Sequence, residues 1–233
     1  MEDEGAAGQP AERVSTGVPA LDALLGGGLD RRAITQFYGE PGCGKSTLAL
    51  LAAVERLRAG ESVIYLDTEG FSVERFRQVA GDRAGELARN LFLFEPLDFE
   101  QQGLMIADSE RLLQKGGTGL IVVDSVTALY RTELTSGQEA QRKLARQVIY
   151  LLGLARKYDI PALVTNQVYM DVTRNVLMGL GGTTMAHLSK AIVRLEGSEG
   201  VRTAILEKHR SLPAGGSFFF EMAGDGIRVR ESR

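Results

Sequence analysis

The feature that restricts this chain most is an octapeptide, Gly39-Glu40-Pro41-Gly42-Cys43-Gly44-Lys45-Ser46, set between an apolar run at 33–38 and a helical stretch at 45–59 that Gly60 closes. A short apolar run followed by a helical period reads as strand, loop, helix. The loop fits G-x-x-x-x-G-K-[ST] at every fixed position, in the context that motif requires. Its glycines let backbone N–H groups turn toward one centre, and the helix behind adds the positive end of its dipole. That centre is a polyphosphate site. Lys45 is placed to reach the β- and γ-phosphates and the Ser46 hydroxyl to ligate Mg²⁺, with Thr47 behind it as a structural neighbour. ATP and Mg²⁺ are the expected cofactors.

The same rhythm repeats along the chain. Strands are expected at 62–67, 91–94, 119–124 and 161–165, separated by helical patterns, and alternation of this kind means a largely parallel sheet covered by helices. The longest helix is expected at 138–158, where Leu144, Val148, Leu151, Leu152 and Ala155 recur at spacings of three and four. Near the start, Ser15 or Thr16 is expected to cap a short helix carrying Leu21, Leu24 and Leu25, stopped by Gly26-Gly27-Gly28. After Thr184, short segments at 191–196, 201–208, 218–222 and 227–230 read as antiparallel strands that extend the sheet. The fold class is therefore α/β.

Composition narrows the rest. A chain of 233 residues, 44% hydrophobic, suits one core domain at 15–233, whereas residues 1–14 are acidic, small and poor in large apolar groups, the composition of a mobile tail. A net charge of −3 supplies no global basic field, so any nucleic-acid contact must be local. The single cysteine, Cys43, cannot form an internal disulfide and sits in the phosphate loop, which suits a reducing, cytoplasmic setting. No signal peptide is visible, nor the roughly 18 consecutive apolar residues of a membrane span.

Three further residues carry candidate chemistry. Leu120-Ile121-Val122-Val123-Asp124 is an apolar run ending in a carboxylate, the form of a buried strand that delivers an acid to the metal; the alternative is a helix cap. Glu69, at the end of the second strand, can orient or deprotonate an attacking water, because adjacent parallel strands bring their C-terminal ends to one crevice; it can also be an exposed helix-capping carboxylate. Gln167 ends the strand PALVTNQ and is either a γ-phosphate sensor or a solvated strand-end amide.

Taken together, STGVPALDALLGGG, GEPGCGKS, YLDTEGFSVERF, LIVVDSVTALYR, LVTNQV and GGTTMAHLSKAIVRL resemble the core of the RecA, RadA and eukaryotic recombinase superfamily. The resemblance spans about residues 15–213. Within it the chain is similar to the archaeal RadB group, short paralogues of RadA that lack the N-terminal domain. The resemblance implies a RecA-like P-loop core, with Glu69 as the water-activating carboxylate and Gln167 as the switch between nucleotide and DNA loop. It also implies that Arg75 stacks on adenine, with an exposed helix arginine as the alternative. Lys208-His209-Arg210 resembles a basic motif that related ATPases project at a neighbour's γ-phosphate, which makes Lys208 and Arg210 candidates for a finger acting in trans; a solvated basic turn is the other reading.

The departures from the family shape the functional expectation. Residues 1–14 contain neither the helical DNA-binding domain nor the Phe and Ala linker of a RadA recombinase. The first candidate DNA loop, 131–137, keeps Arg131 but lacks a further arginine, and the second, 168–182, is short and offers Arg174. The reading is a weak ATPase that binds DNA, single-stranded above all, associates with a RadA-type recombinase and assists it in homologous recombination and repair. Self-association is allowed and no membrane is involved. The alternatives are a strand-exchange recombinase in its own right, or a KaiC-like signalling ATPase with no DNA role.

Overall fold

The structure, a computed structural model, describes residues 13–171, 176–197 and 199–230. The chain opens with β1 (Arg13–Val14), α1 (Pro19–Leu24) and β2 (Leu29–Asp30), the two short strands pairing with each other. Then follow β3 (Ile34–Gly39), α2 (Lys45–Arg58), β4 (Ser62–Asp67), α3 (Val73–Ala80), α4 (Ala84–Leu87), β5 (Leu91–Phe94), α5 (Phe99–Asp108), α6 (Glu110–Leu113) and β6 (Thr118–Asp124). The second half holds α7 (Gln138–Lys157), β7 (Ala162–Asn166), the hairpin β8 (Val168–Asp171) and β9 (Val176–Gly179), α8 (Gly182–Leu188), and finally β10 (Ser189–Glu196), β11 (Arg202–His209), β12 (Ser217–Ala223) and β13 (Gly226–Arg230).

Among the described residues nine strands form one sheet in the order β13-β12-β11-β10-β3-β7-β6-β4-β5. The run from β10 to β5 is parallel, and β11, β12 and β13 add antiparallel pairs at one side. Both faces of the central strands are covered, which is why β3 and nearly all of β6 are buried end to end. Successive side chains point to opposite faces. Phe37, Tyr65, Val122 and Leu163 pack toward α2 and α3 with Leu48, Ala52 and Phe76, while Ile34, Ile64, Ile121 and Val164 pack toward α5 and α7 with Ile106, Leu144, Val148 and Leu151. The expected long helix is α7, and its inward stripe is the one the periodicity marks. Truncating a buried residue such as Leu144 to alanine costs about 2–5 kcal/mol.

Three expectations differ from the structure. Arg13 and Val14, placed in the tail, pair with Asp30 and Leu29. The cap of α1 is Val18 with no side-chain bond; Ser15 and Thr16 instead donate to the Asp22 carboxylate, at 2.7 and 2.6 Å, so the helix reaches back to the loop rather than the loop capping the helix. The segment at 191–196 is not antiparallel to the core: β10 runs parallel to β3 and turns antiparallel only toward β11. The second candidate DNA loop contains the paired strands β8 and β9; Arg174 lies outside the described residues. Among the described residues no helix is long and apolar enough to cross a membrane.

Candidate functional site

The C-terminal ends of β3, β4, β6 and β7 open on one crevice, with β7 lying between the strand that carries the glycine loop and the strand that ends in Asp124. Ligands of open α/β sheets bind at this end of the strands. The loop needs glycine at two positions for different reasons. A Cβ on Gly39 would meet the Leu195 carbonyl oxygen at 2.2 Å, so the loop leaves β3 in direct contact with β10. Gly44 is the N-cap of α2 at φ 104 and lies against Met222 and Phe220, a left-handed conformation that a side chain would strain. No side chain caps α2, which leaves its first-turn amides to an anion.

Lys45 bridges the loop: its Nζ donates to the carbonyl oxygens of Gly39 and Glu40, each at 2.9 Å, and stands 3.7 Å from Cys43 Sγ. Glu40, Pro41 and Gly42 are all exposed, and Cys43 is fully buried beneath them. Burial pushes the Cys43 thiol up, against the pull of the Lys45 ammonium, so it packs as a neutral group.

Ser46 and Asp124, 78 residues apart in sequence, meet at 3.2 Å between Ser46 Oγ and Asp124 Oδ1. Asp124 is buried and accepts two more hydroxyls, one from Thr165 on Oδ1 and one from Tyr65 on Oδ2 at 2.8 Å. Burial first, then the neighbouring Asp124 charge, keep the Tyr65 phenol protonated far above its ordinary range, so it remains a donor. Asp67, at the end of β4, is the register partner of Asp124. Burial and the Asp124 charge raise its carboxyl to about 6, opposed by the backbone N–H groups of Gly70 and Glu69. The cleft between these residues has a volume of about 250 Å³, with Ser46, Thr47, Asp67, Glu69, Arg75 and Asp124 among its lining.

Glu69 and Gln167, 98 residues apart, are hydrogen-bonded, Gln167 Nε2 donating to Glu69 Oε1. Arg131 in turn donates from Nη1 to Gln167 Oε1 at 3.1 Å. One candidate DNA-loop arginine, the candidate sensor and the candidate water-holding carboxylate thus form a single chain.

Arg75 lines the cleft but is held from the far side. Its guanidinium donates to the carbonyl oxygens of Ala223, Gly224 and Gly226, at 2.7–3.0 Å, and so ties α3 to the turn between β12 and β13. Lys208 and Arg210 are also engaged within the chain. Lys208 Nζ donates to Ala186 O and Ser189 O at 2.5 and 2.9 Å, and burial lowers its pKa. Arg210 pairs with Asp30 at 3.0 Å. Lys208 and His209 sit beside Ile192 and Ala191, which pair with the first half of β3. They therefore stand at the opposite end of that strand from the chain's own phosphate loop.

A glycine loop opening a helix, a hydroxyl on a strand-end aspartate and a carboxylate one strand further on define a P-loop nucleotide-binding core. The Rad51 family profile matches residues 9–228. The chain is 66% identical over 220 residues to the DNA repair and recombination protein RadB of Methanoculleus marisnigri, covering 94% of this chain and 98% of that protein. It is 42% identical over 217 residues to that of Archaeoglobus fulgidus, covering 92% and 97%. A solved structure described as the crystal structure of the RadB recombinase superposes with a TM-score of 0.80 at 39% identity, over 94% of this chain and all of that one. The chain belongs to the Rad51 family, in its archaeal RadB group.

Two site features lie beyond the sequence reading. Thr165 and Tyr65 complete the hydrogen bonding of Asp124; Tyr65 falls two residues before Asp67 on the same strand face as a polar tip in an apolar run, which is the signal it offered. Asp67 ends its apolar run as Asp124 does, and that position is the signal the sequence carries for it.

Proposed function

We propose that this chain binds ATP with Mg²⁺ in the crevice, hydrolyses it slowly, and serves as a DNA-binding accessory protein to a RadA-type recombinase in homologous recombination and repair. The observation that carries this reading is the Arg131–Gln167–Glu69 chain, because it links a loop suited to a nucleic-acid phosphate to the carboxylate suited to hold the attacking water. The names of the relatives, DNA repair and recombination proteins, support the same direction.

The residues present suit the nucleotide. The uncapped start of α2 and the Lys45 ammonium offer donors to the phosphates, and Lys45 exchanges the carbonyls of Gly39 and Glu40 for them on binding. Ser46 and Asp124 are the pair to hold the cation, Asp124 with its oxygens already oriented by Tyr65 and Thr165. Mg²⁺ held there would supply positive charge against that of the phosphates. Glu69 then orients water for in-line attack, and its hydrogen bond to Gln167 holds that carboxylate back until Gln167 turns toward a γ-phosphate. Arg75, anchored on the final hairpin, presents its guanidinium to the cleft where the base would lie. Lys208 and Arg210 are bound within their own chain, so a role for them as a finger acting in trans would require their release toward a neighbouring subunit.

The test is strand exchange between homologous DNAs with ATP and Mg²⁺, run with this protein alone, a RadA recombinase alone, and the two mixed. The expected outcome is no joint molecules from this protein alone and a changed yield in the mixture. Joint molecules from this protein alone would make it a recombinase in its own right. No effect in the mixture, together with no binding of single-stranded DNA at low salt where phosphate contacts are strongest, would sink the accessory role.

A further inference from the structure

Asp67 and Asp124 end adjacent parallel strands in direct register, yet their carboxylates are in opposite conditions. Every oxygen of Asp124 is used: Oδ1 accepts from Ser46 and Thr165, Oδ2 from Tyr65. Asp67 has only the nearby backbone N–H groups of Gly70 and Glu69 to favour its charged form. Its Oδ2 is buried and has no hydrogen-bond partner among the described residues. The residue is only 6% exposed, and it lines the cleft with Ser46 and Asp124.

A buried carboxylate oxygen without a donor is costly, and a second carboxylate beside it adds repulsion. Among the described residues no cation forms an ion pair with Asp67: Arg75, which shares the cleft lining, is held by the carbonyls of Ala223, Gly224 and Gly226, and Lys45 by those of Gly39 and Glu40. We propose that Asp67 is a second carboxylate of the metal site, whose unpartnered oxygen holds the hydration shell of the nucleotide's divalent cation, leaving the attacking water to Glu69. The inference rests on the reading of this crevice as a Mg²⁺–nucleotide site. Small divalent cations keep several waters and are held by one or two carboxylates together with substrate phosphates. Among the described residues no group of three or more His, Cys, Asp or Glu forms a metal cage, so cation binding here depends on the nucleotide being present.

The test is Mn²⁺ binding followed by electron paramagnetic resonance, with ADP present and absent, in the wild-type protein and in Asp67→Asn and Asp124→Asn. Binding of a fluorescent nucleotide in EDTA is measured alongside. The expected result is nucleotide-dependent Mn²⁺ binding that Asp67→Asn weakens about tenfold or more, with metal-free nucleotide affinity within about twofold. Unchanged Mn²⁺ affinity in Asp67→Asn, beside a loss in Asp124→Asn, overturns the role of Asp67 while sparing the nucleotide site. No nucleotide binding by the wild-type protein overturns the nucleotide site itself. Fe²⁺-directed backbone cleavage of the wild-type protein with ADP covers the case of a variant that does not fold: cuts are expected beside both Asp67 and Asp124, and cuts beside Asp124 alone count against the proposal.

Discussion

Asp30 and Asp67 are both buried aspartates, 2% and 6% exposed, and the chain surrounds them with opposite charge. Asp30 is paired with Arg13 at 2.9 Å and Arg210 at 3.0 Å, with His209 at 3.8 Å. Its Oδ2, like that of Asp67, lacks an aligned hydrogen bond, but the Arg210 guanidinium faces it as an ion pair. Asp67 faces Asp124, with Glu95 also raising its pKa. Near Asp30 the chain supplies its own cations and joins β1, β2 and the end of β11. Among the described residues no cation pairs with Asp67. A protein that leaves one buried carboxylate uncompensated while compensating another is complete at the first place and prepared for a ligand at the second.

Changes in the crevice should therefore alter turnover while sparing stability, and changes around Asp30 should do the reverse. The largest effect is expected from Glu69→Gln, which should slow ATP hydrolysis by about 10²–10⁴-fold with nucleotide affinity kept. Lys45→Ala should instead abolish tight nucleotide binding; equal affinity losses in both variants would show that the roles are assigned wrongly. Next comes Asp30→Ala, which leaves Arg13 and Arg210 without their shared partner. It should cost about 3 kcal/mol, roughly 6–12 °C in melting temperature, with nucleotide affinity unchanged. Lost nucleotide binding in a folded Asp30→Ala protein would break the contrast.

A smaller effect is expected from Asp67→Asn in metal-free protein. Removing an uncompensated charge should raise the melting temperature by roughly 2–4 °C, about 1 kcal/mol; a fall would mean that its oxygen is partnered in solution. The smallest involves His209, whose ring burial holds its pKa below the ordinary value, with Arg13 and Arg210 adding to the effect and Asp30 opposing it. Because the folded pKa is depressed, the stability it contributes is full above the unfolded value near 6.5 and is lost as pH falls through the folded value. Melting temperature followed from about pH 7.5 to about pH 5 should fall less steeply in His209→Gln than in the wild type.

The strands and the phosphate loop were legible in the sequence because both depend on local patterns. Apolar runs at 62–67 and 91–94 coincide with β4 and β5, and the octapeptide lies where β3 meets α2. Strand direction was not legible for β10, since an apolar run looks the same read against either neighbour. The Asp30 group was hidden for another reason: residues 13, 30, 209 and 210 converge only when β1, β2 and β11 are assembled. Arg75 was visible through the family resemblance as an arginine of the cleft, but not its attachment to Ala223, Gly224 and Gly226, 148 to 151 residues on.

That attachment bears on how the protein is made. Met222 and Phe220 lie against Gly44, and Arg75 grips the turn that follows them. The ribosome delivers the glycine loop early and its backing late. A nascent chain released before β12 and β13 emerge would carry the whole phosphate-binding motif without the surface that supports it, so nucleotide capture would report that synthesis had reached the final strands.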